Sequence, residues 1–247
     1  SFEELENITN DNKIGIIKME VSRNIKPEKN FLVKVRQLAT KKNIILIFDE
    51  CTSGFRRNYG GLHITQKIYP DIAMFGKALG NGYAITAVIG KKRIMNKAQD
   101  SFISSSFWTE RIGYVAALKT LEIMRKKNSW KIIINHGKYI NDKWKNLAKK
   151  YSLKINIFGI ESITSFNFVS KNNLAYKTYI AQEMLKKGYL ASNQIFLNIF
   201  HTQKIIDQYI KNLDPIFKKI KDFENGGNVN KHLKGPICHS TFRRLND

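Results

Sequence analysis

The sequence predicts an α/β protein, with part of a mostly parallel sheet layered with helices and then a smaller α+β unit. Three observations carry this. Two apolar runs, Ile14–Val21 and Ile44–Phe48, flank a segment in which Phe31, Leu32, Val35, Leu38 and Ala39 recur at helical spacing. Two further strand-like runs, Ile72–Phe75 and Ala84–Ile89, are joined by a link too short for a crossover helix. Beyond Trp130, strand-like runs again lie between helical patterns.

Taken in order, Ile14–Val21 reads as a strand, and Pro27-Glu28 opens the helix that follows, because proline suits a first helical turn. The uninterrupted run Ile44–Phe48 fits a strand buried on both faces. Strand, helix, strand at this spacing is a βαβ unit, so these two strands are expected to be parallel. Ile72–Phe75 and Ala84–Ile89 are expected to pair antiparallel. A helix from Glu110 to Lys126 carries Ile112, Val115, Ala116, Leu118 and Met124, and Asn128-Ser129 breaks it. A new unit opens near Trp130 with a helix through His136 to Lys150. Strands follow at Leu153–Phe158 and Ile163–Phe168, then helices at Leu174–Lys187 and Thr202–Lys221. Asp222 to Lys234, with Gly226-Gly227 and several Asn, reads as a loop or linker. The expected division is 1–127 for part of a large domain, 128–225 for a small C-terminal domain, and 226–247 for linker and tail.

Composition narrows the function classes. The 247 residues suffice for one large domain or two smaller ones, and 43% hydrophobic with 25% charged residues is ordinary for a globular chain. No run approaches the roughly 18 apolar residues of a membrane helix, and the acidic start Ser1–Glu6 has no apolar signal core. The net charge of +22 would suit nucleic acid if the lysines were clustered. They are spread among Ile and Asn along the whole chain, which favours solvated faces. Cys51 and Cys238 lie far apart without metal-ligand spacing, and neither they nor the scattered histidines point to a metal. A reducing, cytoplasmic setting is expected.

Two places stand out for chemistry. Asp49-Glu50 follows the buried run Ile44–Phe48, where ligands of open α/β sheets bind, beyond the carboxyl ends of strands. A solvated acidic turn is the bland alternative. A Walker B carboxylate is another, but the chain has no GxxxxGK[ST] loop to accompany it. Lys77 follows an apolar strand and is flanked by Gly76, Gly80 and Gly82, which leave backbone room for a bulky group. In so lysine-rich a chain one more lysine is usually surface. At the base of an apolar pocket it would instead be a nucleophile toward an aldehyde.

Together these segments resemble a known family. Phe48–Arg56 is similar to the DEVxTGFR segment of class III aminotransferases, and Pro70–Gly82 to their PDxxxxGKxxGxG segment. The branch that includes glutamate-1-semialdehyde aminomutase matches best, from about Ile14 to Leu245. The resemblance implies a fold type I enzyme using pyridoxal 5'-phosphate. Lys77 would form the Schiff base with the cofactor aldehyde and later move protons. Asp49 would hold the ring nitrogen protonated so that the ring accepts electrons. Cys51 falls where a small apolar residue packs on the ring. Ser105 and Ser106, in the run Ser104–Arg111, fall in a turn that reaches a cofactor phosphate across a dimer. Their alternative is an N-cap cluster for the next helix. Trp108–Arg111 replaces the family's usual Gly-Asn-Pro, a variant similar to a branch associated with surface-sugar gene sets.

The tail from Leu233 also resembles that branch, with Phe242 and Leu245 able to dock it on the core. No arginine lies between Phe158 and Lys231 to hold a substrate carboxylate. The family's upstream glycine-serine loop and stacking aromatic are not recognisable before Ile14. The expected function is therefore a PLP-dependent aminotransferase or aminomutase acting on a small-molecule amino donor and acceptor. It is expected to lack the family's N-terminal region, to form a homodimer when complete, and to be completed by an upstream-encoded chain. An inactive remnant or interaction module of the same fold is the alternative.

Overall fold

The protein is described from a computed structural model that covers residues 1–11, 13–22, 28–106 and 108–240. Two compact units divide it, the first Ser1–Lys131 and the second beginning at Ile132.

The first unit is built on a four-stranded sheet of order β1-β2-β3-β4. Its strands are β1 (Ile16–Glu20), β2 (Ile45–Asp49), β3 (Ile72–Phe75) and β4 (Ala87–Gly90). β1, β2 and β3 run parallel, and β3 pairs antiparallel with β4, as the connection lengths predict. Helix α1 (Phe2–Ile8) is closed by a reciprocal cap between Ser1 and Glu4. Helix α2 (Phe31–Lys41) covers the βαβ crossover and buries Leu32, Val35, Leu38 and Ala39, the periodic apolar residues. It begins after Asn30, whose φ is +64°. Pro27, expected to open it, lies outside the described residues.

Asp71 joins three of these elements. It is 2% exposed and accepts from the Leu46 amide at 2.9 Å, from Arg36 of α2 at 2.8 Å and from Lys91 after β4 at 2.7 Å. Burial alone would raise its pKa, but the Leu46 N–H and the Lys91 and Arg36 cations hold it at about 2.

The β2–β3 connection carries only the short helix α3 (His63–Gln66), and α4 (Lys92–Met95) with a 3-10 turn at Asn96–Asp100 follows β4. Helix α5 (Ile112–Lys127) ends at Asn128, φ +50°, where the break was expected, and α6 (Ser129–Lys150) starts at once. The buried residues of α5 are Gly113 and Ala117, while Ile112, Tyr114, Val115 and Leu118 are exposed. Glu110 caps it, accepting from the amides of Ile112 at 2.6 Å and Gly113 at 3.4 Å.

The second unit packs α6, α7 (Asn173–Leu185) and α8 (Gln203–Glu224) with a three-stranded antiparallel sheet of β5 (Ile155–Ile160), β6 (Ile163–Phe168) and β7 (Gln194–Phe196). Trp144, Phe166, Tyr176, Ile180, Met184, Leu213, Phe217 and Ile220 form its core, each 0% exposed. The buried Trp144 indole donates to the Tyr209 hydroxyl at 3.3 Å. The segment expected as a loop from Asp222 to Lys234 is more ordered than that. α8 continues to Glu224 and a 3-10 turn covers Val229–His232, with Val229 buried. The chain then follows α7. The Lys234 amide donates to Gln182 at 2.7 Å and the Cys238 amide to Thr178 at 3.0 Å. Phe242 and Leu245 lie outside the described residues. No helix among the described residues is long and apolar enough to cross a membrane.

Candidate active site

Parallel pairing brings the two singled-out places together. Asp49 is the last residue of β2 and pairs in register with Met74 of β3, and the Glu50 amide donates to the Met74 carbonyl at 2.8 Å. Lys77 follows three positions later, just past the end of β3. Both residues therefore lie at the carboxyl ends of adjacent parallel strands.

Lys77 adopts φ +44°, a left-handed backbone that is uncommon for a residue with a side chain. The turn around it is held by the Asn81 amide on the Lys77 carbonyl and the Leu79 amide on the Gly76 carbonyl, each 3.0 Å. A Cβ on Gly80 would lie 2.1 Å from the Tyr83 carbonyl oxygen, so only glycine lets the chain turn back so tightly there. The Lys77 ammonium is exposed and donates to the Thr52 hydroxyl at 2.7 Å. This differs from the expected apolar pocket, because the amine has a polar partner in the Cys51–Phe55 turn.

The adjacent acids have different roles. Asp49 is 23% exposed, and its Oδ1 accepts from the Cys51 amide at 3.1 Å while Oδ2 faces the Lys18 ammonium at 3.2 Å. Burial pushes its carboxyl up, but the Cys51 amide and Lys18 outweigh this and leave it below the ordinary value. Glu50 is fully buried. It accepts from the amides of Leu62 and His63, each at 2.9 Å, from the Ser53 hydroxyl and from the His63 ring. Burial raises its pKa and these partners lower it, with a net downward shift. Glu50 thus anchors the Leu62–His63 end of the β2–β3 connection.

Cys51 packs on Gly76, where an added Cβ would meet its Sγ at 3.4 Å. Burial pushes its thiol up, and so does Asp49, while Lys77 and Lys18 oppose them. The structure thus gathers Lys18, Asp49, Cys51, Thr52 and Lys77. Ser105 and Ser106 lie in an exposed non-helical stretch before α5. Sequence reasoning missed Lys18 and Thr52. Strand alternation puts Lys18 on the same face of β1 as Glu20, the register partner of Asp49. No such signal marks Thr52, whose place depends on the turn.

Similarity to known proteins agrees with this architecture. Residues 23–217 match the Aminotransferase class-III family profile. The chain is 31% identical over 176 residues to a 3-aminobutyryl-CoA aminotransferase of Cloacimonas acidaminovorans, covering 71% of this chain and 42% of that protein. It is 31% identical over 235 residues to a glutamate-1-semialdehyde 2,1-aminomutase of Wigglesworthia glossinidia brevipalpis, covering 85% of this chain and 54% of that one. The chain thus spans about half the length of these curated relatives. Among solved structures, the PLP internal aldimine form of the Sphingopyxis sp. MTA144 FumI protein superposes with TM-score 0.83 at 20% identity, covering 94% of this chain and 58% of that one. An S-selective transaminase from Arthrobacter sp. gives TM-score 0.76 at 19% identity, covering 90% and 56%. These neighbours share the fold type I architecture. The lysine and carboxylate at adjacent strand ends sit inside a profile match that covers most of the sequence, and the chain belongs to the class-III aminotransferase family.

Proposed function

We propose that the chain carries the lysine and ring-nitrogen carboxylate of a pyridoxal 5'-phosphate-dependent aminotransferase or aminomutase. One observation carries the reading: Asp49 ends β2 and Lys77 follows the end of its parallel neighbour β3, the amine exposed and the carboxylate ionised. The donor set fits the cofactor. The primary amine of Lys77 would take its aldehyde, the anionic Asp49 its ring nitrogen, and the Cys51 thiol packed on Gly76 would offer a small, polarisable face to the ring. The hydroxyls of Ser105 and Ser106 are our assignment for phosphate donors. When bound, pyridoxal phosphate supplies an electron sink for the substrate carbanion.

The residues of the chain do the rest. Thr52, the hydrogen-bond partner of the Lys77 amine, would orient it, Asp49 would hold a proton at the ring nitrogen, and the Lys77 amine would take and return the substrate proton. The substrates are a small-molecule amino donor and acceptor. We infer a homodimer, supported by the exposed Tyr114, Val115 and Leu118 on α5, with an upstream-encoded chain as the other polypeptide able to cover that face. A cytoplasmic setting is consistent with Cys51 and Cys238 both being free thiols.

The test is chemical. Borohydride reduction of cofactor-treated protein is expected to label Lys77 in peptide mass mapping, and Lys77→Ala to lose the label. A label on another lysine overturns the assignment.

A further inference from the structure

Asp49 has two carboxylate oxygens, and both are engaged. The Cys51 amide donates to Oδ1 at 3.1 Å, and the Lys18 ammonium stands 3.2 Å from Oδ2. Lys18 reaches it because β1 and β2 are parallel with Glu20 opposite Asp49, and Lys18 lies two residues back on the same face. The ionisable groups beside the carboxylate are Lys18 and Cys51, with Glu20 opposite it in register on β1 and Lys77 acting on the Cys51 thiol. Lys18 is half exposed on a flexible four-carbon stem, so it can move while the strand stays fixed.

We propose that Lys18 is a positioning residue that holds the Asp49 carboxylate in the absence of cofactor and competes with the cofactor's ring nitrogen for it. The inference rests on the pyridoxal phosphate reading above and adds a control on that same site. The physical argument is direct. A ring nitrogen that keeps a proton against Asp49 brings a second cation to a carboxylate already facing one. The two cations repel, and they compete for the same carboxylate. Lys18 therefore keeps Asp49 ionised and oriented, and in doing so weakens cofactor binding. Binding requires the ammonium to swing toward solvent.

The test compares the 247-residue chain with Lys18→Met, Lys18→Gln and Lys18→Arg, with circular dichroism confirming that each is folded. In cofactor-free protein, the Asp49 carboxyl is titrated by 13C NMR. The Met and Gln variants are expected to raise its midpoint, and the Arg variant to leave it near wild type. Equal midpoints in all four proteins overturn the ion pair. Pyridoxal phosphate is then titrated by absorbance. The Met and Gln variants are expected to bind roughly two- to fivefold more tightly than wild type, a range set by the modest strength of half-exposed pairs. Equal or weaker binding in both overturns the competition. Borohydride trapping at Lys77 separates the two ideas. If no protein of the set traps cofactor there, the cofactor reading fails and the competition with it, whatever the carboxyl titration shows. If trapping succeeds but residue 18 has no influence, only the role of Lys18 fails.

Discussion

Asp49 and Glu50 are neighbours with the same acid chemistry, and burial separates their roles. Glu50 is fully enclosed with four donors from Ser53, Leu62 and His63, so it serves the architecture of the connection. Asp49 keeps part of its carboxylate open, with one backbone donor and one mobile cation, so a ligand can still reach it. Asp49→Asn is expected to retain borohydride-trapped cofactor at Lys77, because that bond does not involve the carboxylate. An amide cannot keep the ring nitrogen protonated, so turnover should fall on the order of a hundred- to a thousandfold. Single-turnover kinetics with an amino donor measures this, and near-normal rates would remove Asp49 from the mechanism.

At the scale of elements, the ends of β2 and β3 are aligned by contacts away from the site. Asp71 ties the Leu46 amide of β2 to Arg36 of α2 and Lys91 after β4. Its carboxyl is held at about 2 against an ordinary 3.8. A folded-state pKa below the unfolded one stabilises the protein above the unfolded value, and the benefit is lost as pH falls through the folded value. The difference is worth about 2 kcal/mol at neutral pH, and the window of loss runs from about pH 4 to about pH 2. Asp71→Asn is expected to lower stability at pH 7 by about that amount. Urea unfolding over the acid range should then show a flatter pH dependence than wild type through this window. Identical slopes would show that Asp71 does not couple protonation to folding.

For the molecule as a whole, large aromatic side chains form an enclosed core in the second unit, while one helix of the first leaves an apolar face open. In the second, the large aromatic side chains Trp144, Phe166 and Phe217 are fully enclosed. In the first, α5 buries only Gly113 and Ala117 and leaves Ile112, Tyr114, Val115 and Leu118 at 55% to 68% exposure, while Val88 and Ile89 of β4 are also exposed. Adjacent apolar residues at this exposure drive association. The chain is expected to self-associate in solution. The double substitution Val115→Glu with Leu118→Glu should shift it to a smaller species in light-scattering chromatography, with the helix content of wild type retained. An unchanged mass distribution would exclude this face as the contact.

The parts of the fold legible from residues alone were those with repeated apolar signals. Ile44–Phe48 reads as a strand because every residue is apolar, although Ile44, Leu46 and Phe48 are buried and Ile45 and Ile47 only half-buried, so one face is covered less than expected. Leu32, Val35, Leu38 and Ala39 read as one helix face because their spacing matches the helical turn. Asp49 stands out by its place after an apolar strand and Lys77 by its flanking glycines, and the resemblance of Phe48–Arg56 and Pro70–Gly82 to one family adds Cys51. Elements of three or four residues, such as β7 and α3, give too few periods to register, and α8 runs into the segment from Asp222 that Gly226-Gly227 and the nearby asparagines suggest is a loop. The partners of the site were not legible at all. Lys18 looks like any solvated lysine in a chain of net charge +22, and Thr52 like any turn residue. Their roles come from strand register and turn geometry. Those set distances between residues far apart along the chain, and local residue patterns carry no record of them.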